Sequence, residues 1–218
     1  MTYDALIFDL DGTLWDAAAA STYGWNLALE KLGLSVRVTV DDIRSVSGKP
    51  FRQCVATLVP ELGTAGAASP GGNAYEEAIT LIDDHERLGI ETIGGALYEG
   101  VAEGLRELAK RFRLFIVSNC PGWYLEAFLR ISGVGAYFSG SDCHGASGQH
   151  KPEMLRALSE KHGLDRPVYM GDTQGDRDAA EAVGMDFAFV SYGFGETGEP
   201  SMSFASFGDL TARFLRKA

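Results

Sequence analysis

Short apolar runs alternate along most of the chain with segments in which apolar residues recur every three or four positions. The runs cover 5–8, 114–117, 168–170 and 187–190, with a shorter strand candidate at 136–138. The periodic segments predict helices over 100–110, 123–131, 152–162 and 210–216, and another that begins after residue 171 and ends near 183. Strands and helices that alternate in this way predict an α/β fold with a doubly wound parallel sheet.

The region between the first run and this series has a different pattern. It predicts four helices, over 17–32, 40–46, 51–59 and 74–88, and shows no strand alternation. Its glycine- and alanine-rich stretch, 63–73, predicts a flexible loop. We therefore predict a helical cap over residues 17–90, inserted into a core that is formed by residues 1–16 and 91–218.

Composition narrows the set of partners. The 218 residues carry a formal net charge of −11, which argues against nucleic acid or an anionic membrane as the main partner. The three cysteines have no CxxC spacing and predict reduced thiols. Together with the absence of a signal-like start or a span of ~20 apolar residues, this predicts a cytoplasmic protein. Both a monomer and a weak homodimer are compatible with the sequence.

Polar residues follow the predicted strands where those strands end. Because ligands of open parallel sheets bind beyond the carboxyl ends of the strands, we expect these residues to meet at one edge. The set contains four acids, a lysine placed just before a helix, a serine and an asparagine. In chain order the residues are Asp9, Asp11, Ser118, Asn119, Lys151, Asp172 and Asp176.

This set of side chains is suited to phosphoryl transfer. Two acids spaced by one residue repel each other, and a divalent cation such as Mg²⁺, which prefers carboxylate oxygens, would remove that repulsion. Lys151 adds a compact positive charge, and Ser118 and Asn119 can donate hydrogen bonds to a phosphate. A carboxylate can attack phosphorus when a metal and a lysine screen its charge.

Four segments resemble, in order, the four motifs of the haloacid dehalogenase superfamily of phosphohydrolases. They read DLDGT at 9–13, VSN at 117–119, HKP at 150–152 and GDTQGD at 171–176. The segments LWDA, LYEGV and VSYGFGE further resemble the helical-cap branch, which includes phosphoglycolate phosphatase-like enzymes and sugar-phosphate mutases. The resemblance implies a Rossmann-like core with an α-helical cap, and Mg²⁺ as the cofactor.

The resemblance also implies roles for the catalytic residues. Asp9 would be the nucleophile that forms an aspartyl-phosphate. Asp11 would act first as the general acid and then as the base that activates water. Ser118 would bind the transferring phosphoryl group with Asn119 nearby, and Lys151 would order Asp9 and the phosphate.

The remaining implied roles concern the metal and a mobile turn. Asp172 would ligate Mg²⁺, Asp11 would add its backbone carbonyl, and Asp176 would act directly or through water. The implied metal-binding residues are Asp9, Asp11, Asp172 and Asp176. Gly12 and Thr13 would shape a turn next to the substrate that couples chemistry to opening of the cap.

Two cations in the predicted cap offer a further contact with substrate. Lys49 and Arg52 lie between two of its predicted helices, and together they would bind a second anionic group of the substrate. A plain interhelical turn with solvated cations is the alternative interpretation.

The predicted function is Mg²⁺-dependent hydrolysis of the phosphomonoester of a small metabolite, phosphoglycolate-like among others. A sugar-phosphate mutase of the same branch would use the same acids and lysine, so the motifs do not separate the two activities. A non-catalytic phosphate-binding module is an alternative from another class. A metal-free dehalogenase is disfavoured because those relatives lack the second acid, Asp11.

Overall fold

The structure is a computed structural model, and it describes residues 3–67 and 74–216. The strands are β1 (Ala5–Phe8), β2 (Trp15–Asp16), β3 (Ala96–Leu97), β4 (Arg113–Ser118), β5 (Phe138–Cys143), β6 (Pro167–Gly171), β7 (Asp186–Val190) and β8 (Ser203–Phe204). The helices are α1 (Ala18–Lys31), α2 (Val40–Val46), α3 (Phe51–Leu58), α4 (Pro60–Ala67), α5 (Ala74–Ile93), α6 (Val101–Leu108), α7 (Gly122–Ile131), α8 (His144–Ser147), α9 (Lys151–His162), α10 (Gln174–Ala182) and α11 (Phe207–Leu215).

Six strands form one parallel sheet in the order β5-β4-β1-β6-β7-β8, which confirms the predicted fold class. The central strand β1 is buried along its whole length because helices cover both faces of the sheet. It pairs with β4 on one side and β6 on the other, and Phe8 lies opposite both Ile116 and Met170. The carboxyl ends of β1, β4 and β6 therefore lie side by side.

The prediction of a strand at 136–138 is wrong in position. Gly135–Tyr137 form a 3₁₀ turn, and the strand β5 begins only at Phe138. Side chains of β5 alternate between partly buried and exposed, because it is an edge strand with the polar sequence FSGSDC. Such a strand has no apolar run, which is the signal that located the other strands.

The helices α1 to α5 make up the predicted insert, and they have an apolar cluster of their own around Trp25, Leu29, Val55 and Ile82. The strands β2 and β3 pair antiparallel where the chain leaves the core and where it returns. The helix α5 continues to Ile93, beyond the predicted boundary at residue 90. The division of the chain into core and cap at residues 16 and 90 stays a prediction.

The predicted loop at 63–73 is partly wrong. The helix α4 begins at Pro60, a residue suited to the first turn of a helix, and continues to Ala67. The composition of residues 63–73 overstated the length of the loop, because alanine favours helices while glycine and serine do not. The rest of the predicted loop, 68–73, lies outside the described residues.

The helices α1 and α5 approach each other closely at two glycines. A Cβ added to Gly24 would lie 2.1 Å from the carbonyl oxygen of His85, and one added to Gly89 would lie 2.3 Å from that of Ala20. A side chain at either position would push the two helices apart, so the two glycines allow α1 and α5 to pack closely within the cap. Within the described residues, no helix combines the length and the apolar character needed to cross a bilayer.

Candidate active site

Asp9 lies directly after β1, at the centre of the sheet edge. Its backbone N–H donates to the carbonyl of Met170 at 2.8 Å, which extends the β1–β6 ladder by one residue. The side chain is 1% exposed, and its Oδ1 accepts a hydrogen bond of 2.9 Å from Lys151 Nζ. Burial raises the pKa of Asp9 to about 6, although the charge of Lys151 acts in the opposite direction.

Lys151, the first residue of α9, joins two acids. Its ammonium group lies 2.9 Å from Asp9 Oδ1 and 2.5 Å from Asp176 Oδ1, and the residue is 4% exposed. Burial alone would lower the pKa of Lys151, but attraction to Asp176 and Asp9 outweighs it and holds the pKa above its ordinary value. Lys151 is therefore a charged group that fixes one oxygen of Asp9.

Asp176 is held by donors on both of its oxygens. Oδ2 accepts from the backbone N–H and the hydroxyl of Thr173, at 3.0 and 2.6 Å, in a capping box at the start of α10. Oδ1 accepts from Lys151 and, at 3.2 Å, from the phenol of Tyr169. The carboxylate of Asp176 thus positions Lys151 as well as lying near the predicted metal site.

Asp172 follows β6 and is fully buried. Its Oδ2 accepts from the backbone N–H groups of Phe194 and Gly195, at 2.7 and 3.2 Å. Burial, together with the negative charges of Asp176 and Asp9, raises the pKa of Asp172 to about 8. An extra positive charge near this group would therefore be strongly stabilising.

The three buried acids fit a divalent cation. Asp9, Asp172 and Asp176 can each offer one oxygen such that the three oxygens lie within 4.8 Å of one another. Among the described residues, no hydrogen bond reaches Asp9 Oδ2 or Asp172 Oδ1, although both atoms are buried. Unpartnered buried carboxylate oxygens are costly, and a hard cation such as Mg²⁺ prefers them as ligands.

The side chain of Asp11 is not part of that group of acids. Its Oδ1 accepts hydrogen bonds of 2.6 Å from the Tyr124 phenol and 3.1 Å from the Trp15 indole. Burial raises the pKa of Asp11 to about 7, while the hydrogen bond from Tyr124 acts to lower it. A carboxyl that titrates near neutral pH can both give and take a proton.

The turn after Asp11 requires a glycine. Gly12 has a φ of +81°, and an added Cβ would lie 2.1 Å from Asp172 Oδ2. Thr13 is buried, and its carbonyl accepts a hydrogen bond of 2.8 Å from the Tyr192 hydroxyl. Gly12 therefore packs directly against Asp172, whereas Thr13 is held by Tyr192.

Ser118 and Asn119 lie at the end of β4, as predicted. The Ser118 hydroxyl is buried and accepts a hydrogen bond of 3.3 Å from the backbone N–H of Cys120. Asn119 Nδ2 donates to the carbonyl of Gly48, in the cap, at 2.7 Å. Asn119 consequently connects core and cap in addition to lying beside Ser118.

The structure places the two predicted cap cations in different surroundings. Lys49 is exposed and lines a cavity that is also lined by Asp9 and Ser118. Arg52 forms a two-point ion pair with Glu76, with Nη1 2.9 Å from Oε1. Arg52 does not line this cavity, so the structure does not bring the two cations together there, and their contact with substrate stays a prediction.

Some site residues were missed by the sequence analysis. Thr173 had a readable signal, because T-x-x-D is typical of a capping box. Tyr124 and Tyr169 had none, since each hydroxyl meets an acid that is held by a different element. Trp15 packs in the core, and its indole also donates a hydrogen bond to Asp11.

Comparisons with known proteins agree with this geometry. Residues 3–184 match a family model described as haloacid dehalogenase-like hydrolase. A phosphoglycolate phosphatase from Rhodobacter capsulatus is 32% identical over 203 residues, which are 88% of this chain and 86% of that protein. A 5'-nucleotidase from Pseudomonas aeruginosa is 27% identical over 206 residues, covering 91% and 87% of the two chains.

A solved structure shows the same fold. The crystal structure of a predicted phosphoglycolate phosphatase from Haemophilus somnus superposes with a TM-score of 0.83 at 21% identity, and the match covers 98% of each chain. The resemblance that the four motifs indicated is confirmed. The chain belongs to the haloacid dehalogenase-like hydrolase family.

Proposed function

We propose that this protein is an Mg²⁺-dependent phosphatase that hydrolyses small phosphomonoesters through an aspartyl-phosphate on Asp9. One observation carries the proposal. Lys151 holds one oxygen of Asp9, no described residue bonds the other oxygen, and Asp11, a second acid that can carry a proton, lines the same cavity. That pairing is the arrangement that a carboxylate nucleophile and a general acid need.

In the first half of the reaction, an oxygen of Asp9 attacks phosphorus and the bond from phosphorus to the ester oxygen breaks. Asp11 gives its proton to the departing ester oxygen, which leaves as an alcohol. Tyr124 and Trp15 hold Asp11 in place for this transfer. The Ser118 hydroxyl and the ammonium of Lys151 bind oxygens of the phosphoryl group as it moves.

In the second half, Asp11 is a carboxylate and takes a proton from water. The water oxygen attacks the phosphorus of the aspartyl-phosphate, and the bond from phosphorus to Asp9 breaks. Inorganic phosphate leaves, Asp9 is restored as a carboxylate, and Asp11 is protonated again. The sum of the two halves is one ester and one water converted to one alcohol and one phosphate.

Asp9 and Asp172 would hold the Mg²⁺, with Asp176 acting directly or through water and Asp11 adding its backbone carbonyl. The metal would supply positive charge that screens the attacking carboxylate from the phosphate dianion. The donors to Asp172 from Phe194 and Gly195 orient that ligand.

Two observations bear on the substrate. The cavity next to Asp9 has a volume of about 70 Å³, which at about 10–15 Å³ per ordered water is room for about five to seven waters. Phosphatases of phosphoglycolate and of nucleotides are both among the relatives. The small cavity favours a small metabolite, and phosphoglycolate is the reference substrate for testing. A cytoplasmic location and a monomer or weak dimer stay predictions.

The test is release of inorganic phosphate from a panel of phosphomonoesters, including a chromogenic aryl phosphate, with and without Mg²⁺. Asp9→Asn should abolish release, and Asp178→Asn is the matched control because Asp178 is an exposed acid of α10. Trapping of one phosphoryl group on the wild-type chain, but not on Asp9→Asn, would be seen by intact mass. An isomerised sugar phosphate without free phosphate would instead establish the mutase alternative.

A further inference from the structure

A third acid in the cavity has no part in the proposed reaction. Glu86, from α5 of the cap, is 8% exposed and lines the same cavity as Asp9 and Asp11. Its negative charge acts on both Asp11 and Tyr124. A buried carboxyl in this place faces the part of the substrate that leaves, because the phosphoryl group itself must sit against Asp9.

No cationic side chain among the described residues pairs with Glu86. The only cation that lines the cavity in the described part of the chain is Lys49, which is exposed and forms no ion pair with it. Burial raises the pKa of Glu86 to about 7, while the neighbouring side chains of Ser21 and Trp25 act to lower it. An acid buried without a counterion is costly unless a ligand completes its surroundings.

A buried donor lies beside this acid. The indole N–H of Trp25 lies near enough to Glu86 to favour its charged form by hydrogen bonding, although among the described residues it makes no hydrogen bond of full geometry. Buried polar groups are nearly always bonded, so a buried acid that lacks a cation and a buried indole N–H that lacks a full hydrogen bond indicate a polar ligand in this cavity. The rest of the lining is largely apolar, with Ile43, Val46 and Phe51 from the cap.

We propose that Glu86 and Trp25 bind the leaving group of the substrate and select phosphomonoesters whose leaving group carries a hydroxyl or amine and no carboxylate. This inference rests on the proposed function and deepens it. Glu86 accepts a hydrogen bond from the donor of the ligand, and Trp25 donates to an oxygen of the ligand. A carboxylate in the same position would be repelled by the charge of Glu86 in a largely apolar cavity.

A purely structural role for Glu86 makes a different prediction. Glu86 and Ser21 belong to α5 and α1, which approach closely, so the acid could serve only to join these helices. In that case its replacement would change the stability of the cap but would leave the order of preference among substrates unchanged. The charge of the leaving group therefore distinguishes the two roles.

The experiment is run at about pH 8, where Glu86 is mostly ionised, and compares three phosphomonoesters of equal length: phosphoethanolamine, 2-hydroxyethyl phosphate and phosphoglycolate. Their leaving groups end in an ammonium, a hydroxyl and a carboxylate. We expect kcat/KM of the wild-type enzyme for the first two to exceed that for phosphoglycolate at least tenfold. Glu86→Gln should reduce this ratio at least tenfold, by raising kcat/KM for phosphoglycolate and lowering it for phosphoethanolamine. Trp25→Phe should lower kcat/KM for 2-hydroxyethyl phosphate.

Glu91→Gln is the control, because Glu91 is an exposed acid of the same helix, and it should leave the ratio unchanged. A wild-type preference for phosphoglycolate, or equal rates on all three esters, overturns the inference. So does hydrolysis of an aryl phosphate without hydrolysis of any of the three. If no phosphate is released from any ester, the aryl phosphate included, the proposed function itself is overturned. The wild-type ratio remains decisive if Glu86→Gln does not fold.

Discussion

Replacement of Glu86 by glutamine should change how the stability of the folded protein depends on pH. Glu86 is buried without a cationic partner among the described residues, and its pKa is raised from the ordinary 4.5 to about 7 by burial. The folded state therefore holds a proton on Glu86 at pH values where the unfolded chain has released it. As the pH rises from about 4.5 to about 7, this group makes the folded state progressively less stable.

The size of the effect follows from the two pKa values. Each unit of pKa difference corresponds to about 1.4 kcal/mol, so the difference between 4.5 and about 7 corresponds to ~3 kcal/mol. The wild-type protein should lose about that much more stability than Glu86→Gln as the pH rises from about 5 to about 8. Above that range the gap between the two proteins should stay constant.

The measurement is the free energy of unfolding in urea at several pH values, in the presence of EDTA so that bound metal does not contribute. The other raised acids, Asp9, Asp11 and Asp172, titrate in both proteins, and the comparison removes most of their effect. The free energy of unfolding of Glu91→Gln should depend on pH in the same way as that of the wild type, since Glu91 is exposed. Parallel curves for the wild type and Glu86→Gln would refute the reasoning and mean that Glu86 is hydrated.

Three further predictions concern the acids of the site. Gly12→Ala should abolish phosphatase activity and lower the thermal midpoint, because its Cβ would lie 2.1 Å from Asp172 Oδ2 at a φ of +81°; wild-type activity would contradict the described turn. Lys151→Met should destabilise the metal-free protein by about 3–5 kcal/mol in urea, since it leaves Asp9 and Asp176 buried without their cation; the same change at an exposed lysine should cost far less. Mg²⁺ should raise the thermal midpoint of the wild type and raise it much less in Asp172→Asn, and an equal rise in both would argue against Asp172 as a ligand.

The sequence was sufficient for the sheet and for the residues at its edge. The runs at β1, β4, β6 and β7 are buried on both faces, so they are nearly continuous in apolar residues and easy to locate. Parallel strands bring the residues that follow them to one edge of the sheet, so the sequence alone predicts that Asp9, Ser118 and Asp172 lie close together. The edge strand β5 was misplaced, because its polar sequence contains no apolar run that would locate it.

Contacts that join distant elements could not be read from the sequence. Glu86 lies in the stretch IDDHERLG, which resembles the solvated face of any amphipathic helix. Its burial depends on the packing of α5 against α1, which brings together residues that are far apart in the sequence. The pairing of Arg52 with Glu76 is of the same kind, because it joins α3 to α5 across the surface of the cap.

The bond between Asn119 and the Gly48 carbonyl has a consequence for timing. Asn119 is the next residue after Ser118, so the short segment that would bind the phosphate also contacts the cap. Movement of this segment during product release would then disturb its contact with the cap, and opening of the cap would disturb the bound product. Turnover and opening of the cap would then be coupled through this amide contact.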